Sequence, residues 1–174
     1  MSQTKISEDR RAQILKWLQF AIDLEDRGLE FYKECLANTQ HPRAMELFDF
    51  LIKVETGHKK ALQSVLDGYS KGDEKVMHDA LHAFMRMDIE PPLFDKGSKE
   101  KMTSPLTALH EMFNKALDFE KEGAEFYRKM EDEELDLDLK KLFRKLAQDE
   151  VEHFQEIRQL GSFVFGMHMT DEEP

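Results

Sequence analysis

Ala21-Ile-Asp-Leu-Glu-Asp-Arg-Gly-Leu-Glu-Phe-Tyr32 returns, at an offset of ninety-five, as Ala116-Leu-Asp-Phe-Glu-Lys-Glu-Gly-Ala-Glu-Phe-Tyr127, with seven of twelve positions identical. The same offset carries Glu55 and His58 onto Glu150 and His153 without slippage. The chain is therefore a duplication, and what it duplicates is chemistry: each half supplies one Glu and one Glu-x-x-His pair. Together they make four carboxylates and two imidazoles, a donor set suited to two divalent first-row metal ions.

Outward from these stretches the pattern is helical. Ser7 before Glu8 and Asp9 reads as a helix start, and Ile14, Leu18, Ala21, Glu25, Gly28, Tyr32 and Leu36 then step by three and four to about Asn38. His41-Pro42 breaks that helix, and Pro42 suits the first turn of a second one. Its inner row is Leu47, Leu51, Glu55, His58 and Leu62, with Gly68 as the expected stop. Ser104-Pro105 repeats the start signal. Phe113, Ala116, Glu120, Gly123, Tyr127 and Met130 form the row of the next helix. The last begins near Asp136, follows Phe143, Leu146, Glu150, His153, Ile157 and Leu160, and has Gly161 as its expected end. The expected organisation is a single domain, 1–174: a helical hairpin over about 8–67, a crossover with a short helix (about Glu74 to Met87) over about 68–103, a second hairpin over about 104–160, and a tail over 161–174. The acidic run Glu131 to Asp138 reads as a solvated loop, and His78 and His82, one turn apart, read as surface residues. His41, His110 and His168 carry no signal, and the Phe residues and most Met residues at helical spacing read as core.

Composition agrees. Leu, Met, Phe, Glu and Lys outweigh Val, Ile and Thr, which favours helices. A formal charge of −11 argues against nucleic acid or anionic lipid as partner and favours cations. The lone cysteine, Cys35, excludes an intramolecular disulfide and a Cys-x-x-Cys iron site within these residues. No stretch approaches the roughly 18 apolar residues of a membrane span, and Met1 to Gln13 lacks a signal-peptide core, so the expected location is the cytoplasm.

Register turns the repeat into a site. In each hairpin the single Glu and the Glu of the pair lie fifteen residues on either side of the turn, so both stand roughly 22 Å from it at one level. The Glu and His of each pair, at i and i+3, share a helix face. All six residues fall in apolar rows, where uncompensated carboxylates would be prohibitively costly. Divalent ions would neutralise them, and carboxylate with imidazole but no thiolate suits Fe(II) or Mn(II) over structural zinc, although zinc can compete.

These motifs resemble those of rubrerythrins within the ferritin-like superfamily, across nearly the whole chain outside the tail. The resemblance implies an all-α, ferritin-like four-helix bundle of two hairpins joined by a long crossover, holding two iron ions. Glu25 and Glu120 would be the single-helix ligands, Glu55 and Glu150 the bridging carboxylates, and His58 and His153 the terminal nitrogens, with no catalytic residue separate from the metal site. It further implies a homodimer and redox chemistry on hydrogen peroxide or oxygen, with an external electron donor such as a rubredoxin. Relatives act as ferroxidases or manganese catalases, and a carrier, store or sensor of iron is the non-catalytic alternative. Two departures stand out. No rubredoxin-like Cys-x-x-Cys is present, and the additional carboxylate expected one turn beyond Glu120 is Gly123, paired by the repeat with Gly28. Glu122 and Glu125 point about 200° and 140° away from Glu120. The two glycines are expected to leave open volume beside the metals. Tyr32 and Tyr127, two turns past their Glu, are expected to hydrogen-bond a ligand carboxylate, to donate an electron, or simply to pack.

Overall fold

The computed structural model describes residues 8–87, 89–92, 106–134 and 136–166. Five helices follow in order: α1 (Glu8–Asn38), α2 (Pro42–Lys71), α3 (Glu74–Phe84), α4 (Leu106–Glu133) and α5 (Leu137–Phe165). No strand occurs among the described residues, and none of the described helices is long and apolar enough to cross a membrane.

Each hairpin closes by a local mechanism. Pro42 occupies the first turn of α2, where its missing N–H costs nothing, and buried His41 caps the helix by accepting the amide of Ala44 on Nδ1 at 3.4 Å. Sequence reading assigned His41 no role; its place before a proline at the first helical position was the available clue. At the other turn, Asp136 accepts the amides of Asp138 and Leu139 at 2.9 and 3.0 Å. The acidic run is not simply a solvated loop. Glu131–Glu133 belong to α4, and Glu134 is buried, pairing with Arg10 at 3.2 Å and accepting the amide of Asp136 at 2.8 Å. A carboxylate at a chain reversal satisfies donors that solvent would otherwise have to meet.

Both expected glycine stops are overrun. α2 continues through Gly68 to Lys71, and Gly72 takes the left-handed conformation (φ 68°). The amide of Asp73 bonds the Gly68 carbonyl at 2.9 Å and that of Gly72 the Tyr69 carbonyl at 3.3 Å, a Schellman closure. Gly68 serves a different need: a Cβ there would stand 2.7 Å from the Met77 backbone nitrogen, so its absence lets α3 cross against α2. α5 likewise passes Gly161 and ends at Gly166 (φ 63°). The Ser7 and Ser104-Pro105 start signals, His168, and the tail beyond residue 166 lie outside the described residues.

Terminal contacts establish the topology. Arg10 donates to the Glu133 carbonyl at 2.8 Å, and Arg11 to the carbonyls of Tyr69 and Ser70 at 3.1 and 2.9 Å. The start of α1 thus sits beside the ends of both α2 and α4. Each hairpin is antiparallel, α1 runs antiparallel to α4, and the end of α2 and the start of α4 lie at opposite ends of the bundle. α1 borders α2 and α4; α5 borders α4 and α2. This is the ferritin-like arrangement expected from sequence.

The apolar core comes in two parts. One contains Leu18, Leu62, Val65, Tyr127, Leu142, Phe143 and Leu146; the other contains Tyr32, Leu47, Phe48, Leu51, Phe113, Ile157 and Leu160. The offset of ninety-five exchanges them: Leu18 maps to Phe113, Leu62 to Ile157, and Phe48 to Phe143. Matching pairs even stack alike, Tyr32 on Phe48 at 6.2 Å and Tyr127 on Phe143 at 6.5 Å. The sequence duplication is therefore a pseudo-twofold axis through the bundle.

Replacing Gly68 by Ala tests the α2–α3 crossing. The substitution should gain up to about 1 kcal/mol of helix propensity yet destabilise the protein by about 1–3 kcal/mol, because backbone must move. A urea midpoint equal to or above that of the parent protein would show that the two helices do not need this glycine.

Candidate metal centre

Between the two halves of the core lies a polar layer. α1 supplies Glu25, α2 Glu55 and His58, α4 Glu120, and α5 Glu150 and His153; all six are buried, with His153 the most exposed at 4%. Every residue expected at the site from sequence is thus brought to it. They form two overlapping groups, Glu25, Glu55, His58 and Glu150, and Glu55, Glu120, Glu150 and His153, with one ligand atom from each member lying within 4.8 Å of the others in its group. Glu55 and Glu150 belong to both. The imidazoles stack with centroids 5.6 Å apart, related by the same pseudo-twofold.

Both histidines turn Nδ1 inward. His58 Nδ1 lies 3.2 Å from Glu55, 3.5 Å from Glu25 and 3.7 Å from Glu150. His153 Nδ1 lies 3.3 Å from Glu120, 3.5 Å from Glu55 and 3.7 Å from Glu150. Proximity is not satisfaction: Glu55 Oε1 and both ring nitrogens of His58 are buried without an aligned hydrogen bond. Buried polar atoms are rarely left so, and a cation held here would supply what Glu55 Oε1 and His58 Nδ1 lack. The donor set would suit two divalent ions, one in each group, with Glu55 and Glu150 as the carboxylates common to both.

The tyrosines hold the unshared carboxylates. Tyr32 Oη donates to Glu120 Oε1, and Tyr127 Oη to Glu25 Oε1. Each therefore bonds the Glu of the other half. A helical side chain leans toward its own N-terminus, so each phenol reaches back to the level of the polar layer and meets the carboxylate across the α1–α4 contact. Burial, reinforced by these carboxylates, pushes both phenols well above their ordinary range, so they stay neutral donors.

The glycines behave differently from the sequence expectation. The space a side chain would take at Gly28 is filled by Phe119, whose ring lies 2.8 Å from where a Cβ would stand. At Gly123 that space is bordered by Glu150, with Cγ at 3.3 Å and Oε2 at 3.4 Å. Neither is an opening; close packing of Phe119 in one case and the Glu150 side chain in the other account for them.

One participant escaped sequence reading. Asp149 Oδ2 stands 3.3 Å from the outward Nε2 of His58, and Lys145 contacts both Asp149 oxygens at 2.9 Å. The offset places Val54 opposite Asp149, so a search for repeated residues passes over it. With a cation on Nδ1, His58 carries its proton on Nε2, facing Asp149. Phe84 of α3 closes over the same imidazole at 5.7 Å. His78 and His82, by contrast, are exposed, as expected.

Protons do the neutralising in the absence of metal. Burial, then the charge of Glu55, raises Glu25 to about 8. Burial, then Glu55 and Glu120, raises Glu150 well above the carboxylate range. Burial alone would lower the histidines, but Asp149, Glu25 and Glu55 outweigh it at His58, as Glu120, Glu150 and Glu55 do at His153, and both are raised. For Glu55, contacts with Glu25 and the two histidines overcome burial and hold it low.

A four-helix bundle with paired Glu and Glu-x-x-His ligands at mid-height is the architecture of carboxylate-bridged di-metal proteins. The Rubrerythrin family model matches residues 16–161, and the chain belongs to that family. Among solved structures it is similar to a protein titled "Hypothetical Protein Pfu-1136390-001" from Pyrococcus furiosus, at 19% identity, covering 90% of this chain and 92% of that one with a TM-score of 0.50, a likeness of fold alone. Comparison with curated proteins finds no match.

Metal uptake must displace the protons. Because Glu25 titrates near 8 when metal-free, it is protonated at pH 7, and Zn(II) binding at that pH should release protons while apparent affinity climbs as pH rises toward and past about 8. Calorimetry in two buffers of different ionisation enthalpy measures the release; binding without any would contradict the protonated cluster.

Proposed function

We propose that the protein is a di-iron carboxylate protein performing redox chemistry on hydrogen peroxide or oxygen, in the manner of a rubrerythrin peroxidase served by an external electron donor. The observation that carries this reading is the pair of overlapping ligand groups sharing Glu55 and Glu150, buried between two halves of an apolar core. Glu25 and Glu120 would each serve one ion, His58 and His153 would cap the pair through Nδ1, and the shared carboxylates would bridge. When bound, the iron pair supplies electrons to the oxidant.

The chain's own residues do the rest. Tyr32 and Tyr127 fix the orientation of Glu120 and Glu25, so those carboxylates need not reorganise during turnover. With an ion on Nδ1, the His58 proton would sit on the outward Nε2, and Asp149 stands 3.3 Å away to receive it. The flanking apolar halves exclude bulk water, which strengthens every electrostatic contact within the layer. Reduction of hydrogen peroxide to two waters consumes two protons and two electrons. These 174 residues hold no cysteine pair that could relay those electrons, which supports a reductant from outside them, a rubredoxin-type protein being one candidate. Gly123, standing where the resemblance expects a further carboxylate, favours a ferroxidase as the second reading.

Anaerobic Fe(II) titration of the metal-free protein, followed by hydrogen peroxide in the same cuvette, tests this. About two tightly bound irons per chain and rapid oxidation by peroxide are expected. Fast oxidation by oxygen with slow reaction toward peroxide would select the ferroxidase. Glu55→Ala and Glu150→Ala should each abolish two-metal loading; either variant retaining it would remove the bridging assignment.

A further inference from the structure

The two ends of the polar layer are not equivalent. His58 is fully buried, covered by Phe84 from α3 and backed by Asp149. His153 instead lines a cleft of about 220 Å³ between α2, α5 and the segment following α3. Phe50, Val54, Met87, Ile89 and Pro91 give that cleft an apolar side, while α5 contributes Lys145, Asp149, Glu152, Gln155 and Glu156. The cleft does not include His58; Asp149 stands between.

Charge along the cleft is one-sided. Lys145 is taken up by Asp149, whereas Glu152 and Glu156 form no ion pair with a lysine or arginine among the described residues. Two unneutralised carboxylates therefore flank the approach to a buried imidazole. At about 220 Å³ the cleft far exceeds the roughly 15 Å³ that a single water needs, so it is roomy enough to be hydrated. The asymmetry also has a sequence basis: Val54, the repeat counterpart of Asp149, puts an apolar wall beside His153 where His58 has a carboxylate.

Resting on the metal-centre reading, we propose that this cleft is the route by which divalent cations reach the centre, passing Glu152 and Glu156 and arriving first at the His153 group. The carboxylates attract the hydrated ion, which has to pass the His153 ring, the one ligand-group residue in the cleft lining, before Glu120, Glu150 and Glu55 around its inward Nδ1 replace the waters. The His58 group then fills from within the protein, across the shared Glu55 and Glu150, since Phe84 and Asp149 block a direct path.

Stopped-flow uptake of Co(II) by the full-length metal-free protein, followed by its visible absorption, tests the route. Glu152→Gln with Glu156→Gln should slow uptake by about threefold or more at low ionic strength and flatten its salt dependence, while final stoichiometry and spectrum stay those of the parent. Gln155→Trp, which narrows the cleft without changing charge, should slow uptake at all salt concentrations. Asp132→Asn with Glu133→Gln, removing the same charge at the α4–α5 turn, serves as control. Unchanged uptake in the cleft variants, or equal slowing in the control, would overturn the route while leaving the centre intact. Absence of Co(II) binding by the parent protein would overturn the centre and the route with it.

Discussion

Four carboxylates at one level of an apolar bundle constrain everything else in this molecule. Isolated, each would cost several kcal/mol to bury in charged form. They are tolerable only if their charge is cancelled locally, and the means are imidazoles facing inward, phenols donating from across the bundle, and a raised pKa at Glu25 and Glu150, where burial and neighbouring carboxylates favour the protonated form. The last is a placeholder. A proton neutralises one oxygen, whereas a divalent ion joins several, and Glu55 Oε1 and His58 Nδ1, both left without aligned partners, are atoms a joining ion would use. The separation of the core into two apolar halves follows from the same constraint, because hydrocarbon cannot pack through a charged layer.

Most of this was legible in the sequence, and for a definite reason. Ligands on helices obey a rigid register, so equal distances from a turn put Glu25 level with Glu55, and a repeat offset without slippage does the same for the other half. What escaped were features that depend on how helices approach one another. Gly68 reads as a stop, yet it is a point of close passage for α3; Gly28 and Gly123 read as open volume, yet Phe119 and Glu150 border them. A glycine's local signal does not say whether the freed space is for the backbone's torsion or for a neighbour's atoms. Asp149 was missed because it departs from the repeat, and a reading built on symmetry overlooks what symmetry does not duplicate.

Membership of the Rubrerythrin family agrees with the ligand pattern. The fold positions that pattern through contacts remote from it: Arg10 and Arg11 lock the start of α1 to the ends of α4 and α2, setting the relative height of helices whose side chains must meet half a bundle away. With a rise of about 1.5 Å per residue, a slip of one residue would exceed the tolerance of a coordination bond.

The crossed tyrosines carry a further consequence. Because Tyr32 serves Glu120 and Tyr127 serves Glu25, neither hairpin contains a finished half-site; each is complete only in the embrace of the other. Two copies of a single hairpin, associating about a true twofold, would assemble the same ligands and the same phenolic supports. The chain is thus the covalent equivalent of a self-associating hairpin, and joining the copies changes what mutation can do. In a symmetric pair every substitution appears twice, on both sides of the centre; in the joined chain, one side can hold Asp149 and Phe84 while the other keeps Val54 and an entrance. Fusion is what gives this protein a front and a back.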